Sequence, residues 1–223
     1  SASAAPFVNR AIAQTESDIR SAVSDLPQFH AMIVQRGDDI VFAEALRGPG
    51  LDRVANIKSC SKSIVALLAG NAISQGAIAS VETTLGVVAP SIIPSDATQG
   101  VADLTIEDLL TLRAGLEGTS GPNYGAWVNS DNWVGFALRR PMIATPGERM
   151  IYSTGTTQVL GAALTVSTGQ SLLEQARSVL GRPLGIEIPP WTRDPQGFYF
   201  GGNEMALTPR AMLRIAVLMR DGG

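Results

Sequence analysis

With 223 residues, of which 45% are hydrophobic and 17% charged, the chain is long enough for one large domain or two small lobes with an ample core. A net charge of −3 without a basic cluster argues against a nucleic-acid partner, and no uninterrupted apolar run is long enough for a membrane span. The single cysteine rules out an internal disulfide, and the single histidine argues against a histidine-rich metal site or a serine–histidine–aspartate triad.

Small residues and a proline occupy positions 1–6, and the chain does not begin with methionine. Residues of this kind flank the cleavage sites of secretory signal peptides. We therefore predict a periplasmic or secreted protein. A cloning remnant would look the same, so a cytoplasmic protein is the alternative.

The first elements predicted along the chain are a helix and a β-hairpin. Residues 7–26 carry apolar side chains at helical spacing and form an amphipathic surface helix. Two apolar runs, 30–34 and 40–43, flank a turn that contains Gly37, which is typical of a hairpin. His30 begins the first of these strands and is interpreted as a structural residue rather than a catalyst.

Beyond the hairpin the pattern is almost wholly helical. One helix begins near Ser59, and a capping box of Thr105 and Asp108 opens another. Glycine, proline and hydroxyl residues mark the remaining helix boundaries. Helices are predicted to end at Gly76, Gly115 and Gly169. Another is capped by Ser171 and ends at 181–183, and the last is capped by Thr208.

A long loop is predicted over residues 117–132. It contains Tyr124 and Trp127, and aromatic side chains on a long loop often line a binding cleft. We predict both as substrate-binding residues, with packing at the surface as the alternative.

The strongest chemical motif is Ser59-Cys60-Ser61-Lys62. Residues three apart share one face of a helix, so a hydroxyl and an amine lie side by side. A serine nucleophile needs a base, and burial together with the positive end of a helix disfavours the charged form of Lys62. The chain has only two lysines, Lys58 and Lys62, and both fall in this stretch. A solvated lysine is the alternative for Lys62, and Cys60 is interpreted as a small residue that packs inward.

Taken together, the motifs resemble the serine β-lactamase and penicillin-binding-protein family, whose first motif is serine-x-x-lysine. The second motif of its class C-like branch, tyrosine-x-asparagine, is matched by Tyr152-Ser153-Thr154. Residues 104–116 and 146–153 resemble segments of that branch, and tyrosine-serine-x is common in its esterases and 6-aminohexanoate-dimer hydrolases. The resemblance covers roughly residues 28–223.

The resemblance implies an α+β fold, in which an antiparallel sheet is flanked by helices and an all-helical lobe is inserted after the nucleophile helix. Residues 1–58 would belong to the α/β lobe, 59–205 to the helical lobe, and 206–223 to a helix that leads back. The family's third motif and C-terminal strands are missing, and the predicted sheet has two strands, fewer than a stable sheet needs. We therefore expect a second polypeptide, the remainder of the same gene product, to complete the fold, and we expect this chain alone to be nearly inactive.

The same resemblance implies a mechanism without a metal or an organic cofactor. Ser59 would attack an acyl carbonyl and form an acyl-enzyme, and its backbone N–H would supply half of an oxyanion hole. Lys62 would accept the Ser59 proton or hold Tyr152 as a phenolate, and Tyr152 would pass the proton to the leaving group.

Thr154 stands where a β-lactamase has asparagine, and threonine lacks the amide that donates and accepts at once. Thr154 is a third predicted substrate-binding residue, and its identity favours a small ester, amide or peptide-like substrate over a β-lactam. The alternatives are a β-lactamase or D-alanyl-D-alanine peptidase, and a catalytically inactive binding or sensor protein on the same fold.

Overall fold

The computed structural model describes residues 16–223, which divide into two compact units. The first unit contains the described residues up to Ala55 together with Leu207–Gly223, and the second contains Asn56–Ala206. Within the described part of the chain, no helix combines the length and the hydropathy needed to cross a membrane. The predicted processed N-terminus lies outside the described residues.

The first unit contains a helix and the predicted hairpin. Residues 16–24 form α1, the described part of the helix predicted over 7–26. The strands β1 (Ala31–Arg36) and β2 (Asp39–Ala45) pair antiparallel, so the hairpin prediction is confirmed. A bulge interrupts the pairing after Val34, which lets the neighbours Val41 and Phe42 both be buried where strict alternation would expose one of them.

The helix that closes the first unit is α10 (Pro209–Arg220), which packs against β1. Its N-terminus is capped as predicted, because the Thr208 hydroxyl accepts a hydrogen bond from the Ala211 N–H at 3.0 Å. At the other end, Arg220 donates to the carbonyl of Gly37 in the hairpin turn. Gly37 has a φ of +59°, a conformation that glycine adopts without steric cost.

The second unit is a bundle of short helices with two longer ones. In chain order these are α2 (Ser61–Ser74), α3 (Leu85–Val88), α4 (Ile106–Leu110), α5 (Tyr124–Val128), α6 (Trp133–Leu138), α7 (Thr154–Thr168), α8 (Leu172–Ala176) and α9 (Arg182–Leu184). Two two-residue strands, β3 (Ala55–Asn56) and β4 (Ala206–Leu207), pair at the points where the chain enters and leaves this unit.

Helix α7 is the centre of the second unit. Every residue from 154 to 164 is buried, and α2, α3, α4, α6 and α8 all pack against it. Small residues allow this close packing: a Cβ added at Gly161 would lie 2.9 Å from the Leu172 side chain. The first turn of α7 is therefore held on several sides, which makes it a rigid support for the residues that precede it.

Helix boundaries confirm some predictions and correct others. The capping box at Thr105 and Asp108 is present, and Gly169 ends α7 in a left-handed conformation. The stop predicted at 181–183 is wrong. The chain widens into a π turn at Arg177–Gly181 and continues through α9, which contains Pro183, before it ends at Gly185.

The loop predicted over 117–132 is also only partly correct. It contains a short 3₁₀ turn, Gly121–Asn123, that runs directly into α5. Pro122 restricts the backbone at this helical start, and Asn123 then precedes α5 without a side-chain cap. The aromatic side chains of this segment are therefore carried by a helix rather than by an open loop.

Candidate active site

Ser59 lies in a single 3₁₀ turn, Lys58–Cys60, that immediately precedes α2, and its side chain is exposed. Lys62 lies in the first turn of α2. The Lys62 Nζ donates a hydrogen bond to the Ser59 Oγ at 3.3 Å. The structure therefore brings together the hydroxyl and the amine of the serine-x-x-lysine motif, although Ser59 itself is outside the α-helix.

The turn that carries Ser59 is tied down on both sides. Lys58 has a φ of +50°, which is uncommon for a residue with a side chain. Its N–H donates to Asn56 Oδ1 at 2.7 Å, and its carbonyl accepts from the Ser61 hydroxyl at 2.6 Å. The fully buried Ser61 Oγ also accepts from the Met205 N–H at 3.3 Å. These bonds hold a strained turn and fix the position of the Ser59 hydroxyl.

The Lys62 amine reaches two further acceptors inside the second unit. It donates to the Gly202 carbonyl at 2.7 Å and to the Thr154 Oγ1 at 3.3 Å. Burial lowers the pKa of Lys62 below its ordinary value, and the hydrogen bond and charge of Tyr152 act in the opposite direction without cancelling that effect. Lys62 is thus held in one place and shifted toward its neutral, proton-accepting form.

Tyr152 lies two residues before α7 and is 46% exposed. The Lys62 Nζ is 4.9 Å from the centroid of its ring. Partial burial acts to raise the pKa of the Tyr152 phenol, but hydrogen bonds to Ser59 and Lys62 and the Lys62 charge together outweigh it and lower that pKa. Ser59, Lys62 and Tyr152, the three predicted catalytic residues, therefore lie together, with the Lys62 amine between the Ser59 hydroxyl and the Tyr152 ring.

The start of α7 positions Tyr152 through a buried network. The Ser153 hydroxyl caps the helix and accepts from the Thr119 N–H at 3.1 Å. The Thr119 Oγ1 accepts in turn from the Gly155 N–H at 2.8 Å. A Cβ added at Gly155 would lie 2.7 Å from that hydroxyl, so the two segments are in close contact. The backbone beside Tyr152 has little freedom to move.

The Thr154 side chain faces Lys62 rather than an open cleft. It is 4% exposed, its hydroxyl lies 3.0 Å from the Ser120 Oγ, and it accepts from Lys62. Its N–H also donates to the Ser120 Oγ at 3.0 Å. The structure brings this predicted substrate-binding residue into the site as a partner of Lys62.

The two predicted aromatic substrate residues lie in different surroundings. Trp127 is fully buried, donates through Nε1 to the Trp133 carbonyl at 2.9 Å, and packs against the rings of Trp133 and Phe200. It is a core residue and offers no surface to a substrate. Tyr124 is partly exposed, with its ring edge-on to Trp127 at a centroid distance of 5.8 Å.

Three features of the site are absent from the predictions or differ from them. Gly202 and Ser120 were not predicted, although a Gly-Gly pair at 201–202 is a pattern typical of close backbone approach. Cys60 is exposed, so the prediction that it packs inward is wrong; it belongs to the 3₁₀ turn and not to the buried face of α2.

Among residues 16–223, no cluster of three or more histidine, cysteine, aspartate or glutamate side chains is placed to hold a metal ion.

The fold and this serine–lysine–tyrosine arrangement define the class of protein. A sequence model of the Beta-lactamase family matches residues 16–218, nearly the whole chain. The chain therefore belongs to the β-lactamase family. No curated protein matches it by sequence.

Solved structures with the same fold include several hydrolases. A protein from Bacillus anthracis designated a 6-aminohexanoate-dimer hydrolase superposes with a TM-score of 0.77 at 17% identity, over 92% of this chain and 57% of its own. EstCE1, a hydrolase with promiscuous acyltransferase activity, gives 0.76 at 17% identity, over 97% and 74%. A D-stereospecific amidohydrolase from a Streptomyces species gives 0.72 at 17% identity, over 94% and 73%.

These likenesses confirm the predicted α+β fold with its small antiparallel sheet and helical lobe. The chain spans between 57% and 74% of the length of these three structures.

Proposed function

We propose that the protein is a serine hydrolase that transfers the acyl group of an ester or amide substrate to Ser59 and then to water. The observation that carries this proposal is the Lys62 amine, which lies 3.3 Å from the Ser59 hydroxyl and whose pKa is lowered by burial. A serine hydroxyl becomes a nucleophile when a neighbouring base accepts its proton. Neither feature is needed by a protein that only binds a ligand.

In the first step the Ser59 Oγ forms a bond to the acyl carbon while its proton passes to Lys62 or to the Tyr152 phenolate. The carbonyl electron pair moves onto oxygen, and the Ser59 N–H would supply one donor to that oxyanion. The tetrahedral intermediate then collapses, and the leaving alkoxide or amine takes the proton from Tyr152. Water repeats the sequence against the acyl-enzyme, which releases the acid and restores the Ser59 hydroxyl.

The proposal that Lys62 and Tyr152 act as a pair is supported by the effect that each has on the pKa of the other. Tyr152 acts to raise the pKa of Lys62, and Lys62 acts to lower the pKa of Tyr152. One proton shared between two such groups belongs to the pair rather than to either residue. The pair can thus accept the Ser59 proton and return it to a leaving group without a large rearrangement.

A fluorophosphonate probe tests the nucleophile directly. Mass spectrometry of the labelled, digested protein is expected to place the adduct on Ser59, and Ser59→Ala is expected to abolish both labelling and ester hydrolysis. Ser63→Ala is the matched control, because Ser63 is exposed in the same first turn of α2. Labelling reports on Ser59 even when turnover is slow. An adduct on another residue, or an active Ser59→Ala protein, would contradict the proposal.

The substrate class is proposed to be an ester or amide rather than a β-lactam. Thr154 carries no amide, and its hydroxyl is already engaged by Lys62 and Ser120. The structurally similar proteins include a hydrolase with acyltransferase activity and an amidohydrolase, which is consistent with this class. We expect a higher kcat/KM for p-nitrophenyl butyrate than for nitrocefin, measured spectrophotometrically on the same preparation. A clear preference for nitrocefin would reverse the assignment.

A further inference from the structure

A chain of buried hydrogen bonds connects Asp194 to Lys62. The Asp194 Oδ2 accepts from the Gln158 Nε2 at 2.8 Å, and the Gln158 Oε1 accepts from the Gly201 N–H at 2.8 Å. The next residue, Gly202, presents its carbonyl to the Lys62 Nζ at 2.7 Å. Gln158 is fully buried and Asp194 is 4% exposed, so this polar chain crosses the interior of the second unit.

Asp194 determines which way the Gln158 amide points. Its Oδ1 accepts from the backbone N–H groups of Gln196 at 3.0 Å and Phe198 at 2.9 Å, which leaves Oδ2 for Gln158. A carboxylate only accepts hydrogen bonds, so the amide nitrogen of Gln158 must face it. The amide oxygen then faces Gly201. Burial raises the pKa of Asp194, and the hydrogen bonds from Gln158 and the backbone act to lower it.

The segment that Gln158 holds has almost no free space around it. A Cβ at Gly201 would lie 2.5 Å from the Thr157 carbonyl oxygen, and one at Gly202 would lie 2.7 Å from the Thr154 side chain. The carbonyl of the preceding residue, Phe200, accepts from the Trp191 Nε1 at 2.9 Å. The Gly202 carbonyl is therefore placed by the surface of α7 and by the Gln158 bond together.

We propose that Gln158 and Asp194 are positioning residues for Lys62. They hold the Gly201–Gly202 backbone against α7. In this position the backbone shields the Lys62 amine from water, and the Gly202 carbonyl holds the amine beside Ser59. The catalytic consequence rests on the proposed function, whereas the positioning itself does not. Without the Gln158 bond, the backbone at 201–202 would move away, water would reach Lys62, and the burial that lowers the Lys62 pKa would weaken.

The chain offers a matched control in Gln175, a second buried glutamine. Gln175 is 4% exposed, lies in α8, and donates to the carbonyls of Gln170 at 2.8 Å and Leu164 at 3.5 Å. Neither of these bonds leads to the active site. Gln158→Met and Gln175→Met therefore each remove a buried amide and keep side-chain volume, but only the first breaks the connection to Lys62.

Lysine NMR provides a readout that does not depend on catalysis. Because the chain has only two lysines, ¹³C-labelled lysine gives one resonance from Lys62 and one from Lys58, whose side chain is 70% exposed and serves as an internal reference. In Gln158→Met the Lys62 resonance is expected to titrate at higher pH than in the native protein. In Gln175→Met the Lys62 resonance is expected to titrate as in the native protein.

Ester hydrolysis gives the second readout. In Gln158→Met, kcat/KM is expected to fall by about 10- to 100-fold, as displacement of a reacting group by about 1 Å can produce. The acid limb of its pH profile is expected to move to higher pH. Gln175→Met is expected to keep the native value and profile.

Asp194→Asn is the second variant, and it applies if Gln158→Met does not fold. It keeps the side-chain shape but places an amide N–H where the carboxylate accepted from Gln158. If Gln158 stays in place, two N–H donors face each other. If the Gln158 amide rotates by 180°, its own N–H faces the Gly201 N–H and the bond to Gly201 is lost. The same upward shift of the Lys62 titration is expected. A folded Gln158→Met or Asp194→Asn protein with a native Lys62 titration would overturn the proposal, as would an equal shift in Gln175→Met. If Ser59 is not labelled by fluorophosphonate, the proposed function fails, while the Lys62 titration still decides the positioning role.

Discussion

Replacing Lys62 by alanine is expected to reduce kcat/KM for an ester substrate by about 10²- to 10⁴-fold, the range that a positioned acid–base group contributes. Lys62 donates to the Ser59 hydroxyl at 3.3 Å, so its amine is in position to take the Ser59 proton. Tyr152→Phe removes the phenol whose pKa Lys62 acts to lower and whose ring lies 4.9 Å from the Lys62 Nζ, and a loss in the same range is expected. Steady-state kinetics on purified variants measures both effects.

The two losses are expected not to multiply. If Lys62 and Tyr152 handle one proton as a unit, removing the first disables the unit and removing the second costs little more. The Lys62→Ala/Tyr152→Phe double variant is therefore expected to retain about the activity of the weaker single variant. Losses that simply multiply would mean that the two residues act independently.

Tyr199→Phe is the control for removing a phenol hydroxyl elsewhere in the second unit. Tyr199 is 3% exposed, and its hydroxyl accepts from Arg193 Nη2 at 2.8 Å, away from Ser59 and Lys62. It is expected to leave kcat/KM unchanged. A large loss in this variant would show that removal of any phenol perturbs the second unit, and the Tyr152 result would then lose its meaning.

Local patterns in the sequence were sufficient for the parts of the site that lie close together in the chain. The spacing of Ser59 and Lys62 places their side chains in contact, and the Thr105 capping box and the hairpin around Gly37 form as their residues indicate. Each of these depends on backbone geometry within a few residues. The pairing of Tyr152 with this motif required the resemblance to a known family.

Other parts depend on packing between distant segments, which spacing does not reveal. Gly202 lies 140 residues after Lys62 in the chain, and the Gly202 carbonyl reaches the amine only because 201–202 lies against α7. Trp127 is predicted to line a cleft because aromatic side chains on a long loop often do so, but the ring contacts with Trp133 and Phe200 bury it. For Gly202 no local pattern identifies Lys62 as the partner, and for Trp127 tertiary contacts override a local pattern.

The Gly202 carbonyl anchors Lys62, so a bulky side chain at this position is expected to damage the site. Gly202 has no positive φ, which means that its backbone conformation does not itself oppose a side chain. The obstacle is steric: a Cβ would lie 2.7 Å from Thr154 Cγ2 and 3.2 Å from the Lys62 Nζ. Valine adds two methyl groups to that Cβ, so either the 201–202 backbone or the Lys62 amine must move.

Gly202→Val is therefore expected to lower kcat/KM by about 10²-fold, because a displacement of about 1 Å at a reacting group has an effect of this size. Gly70→Val is the matched control: Gly70 is exposed in α2, and a Cβ there meets nothing within 4 Å. Thermal unfolding of both variants separates loss of activity from loss of structure, and the smaller Gly202→Ala change serves if the valine variant unfolds. A folded Gly202→Val protein with native kcat/KM would mean that the Gly202 carbonyl does not need to hold Lys62, because proton transfer from Ser59 would then tolerate a displaced amine.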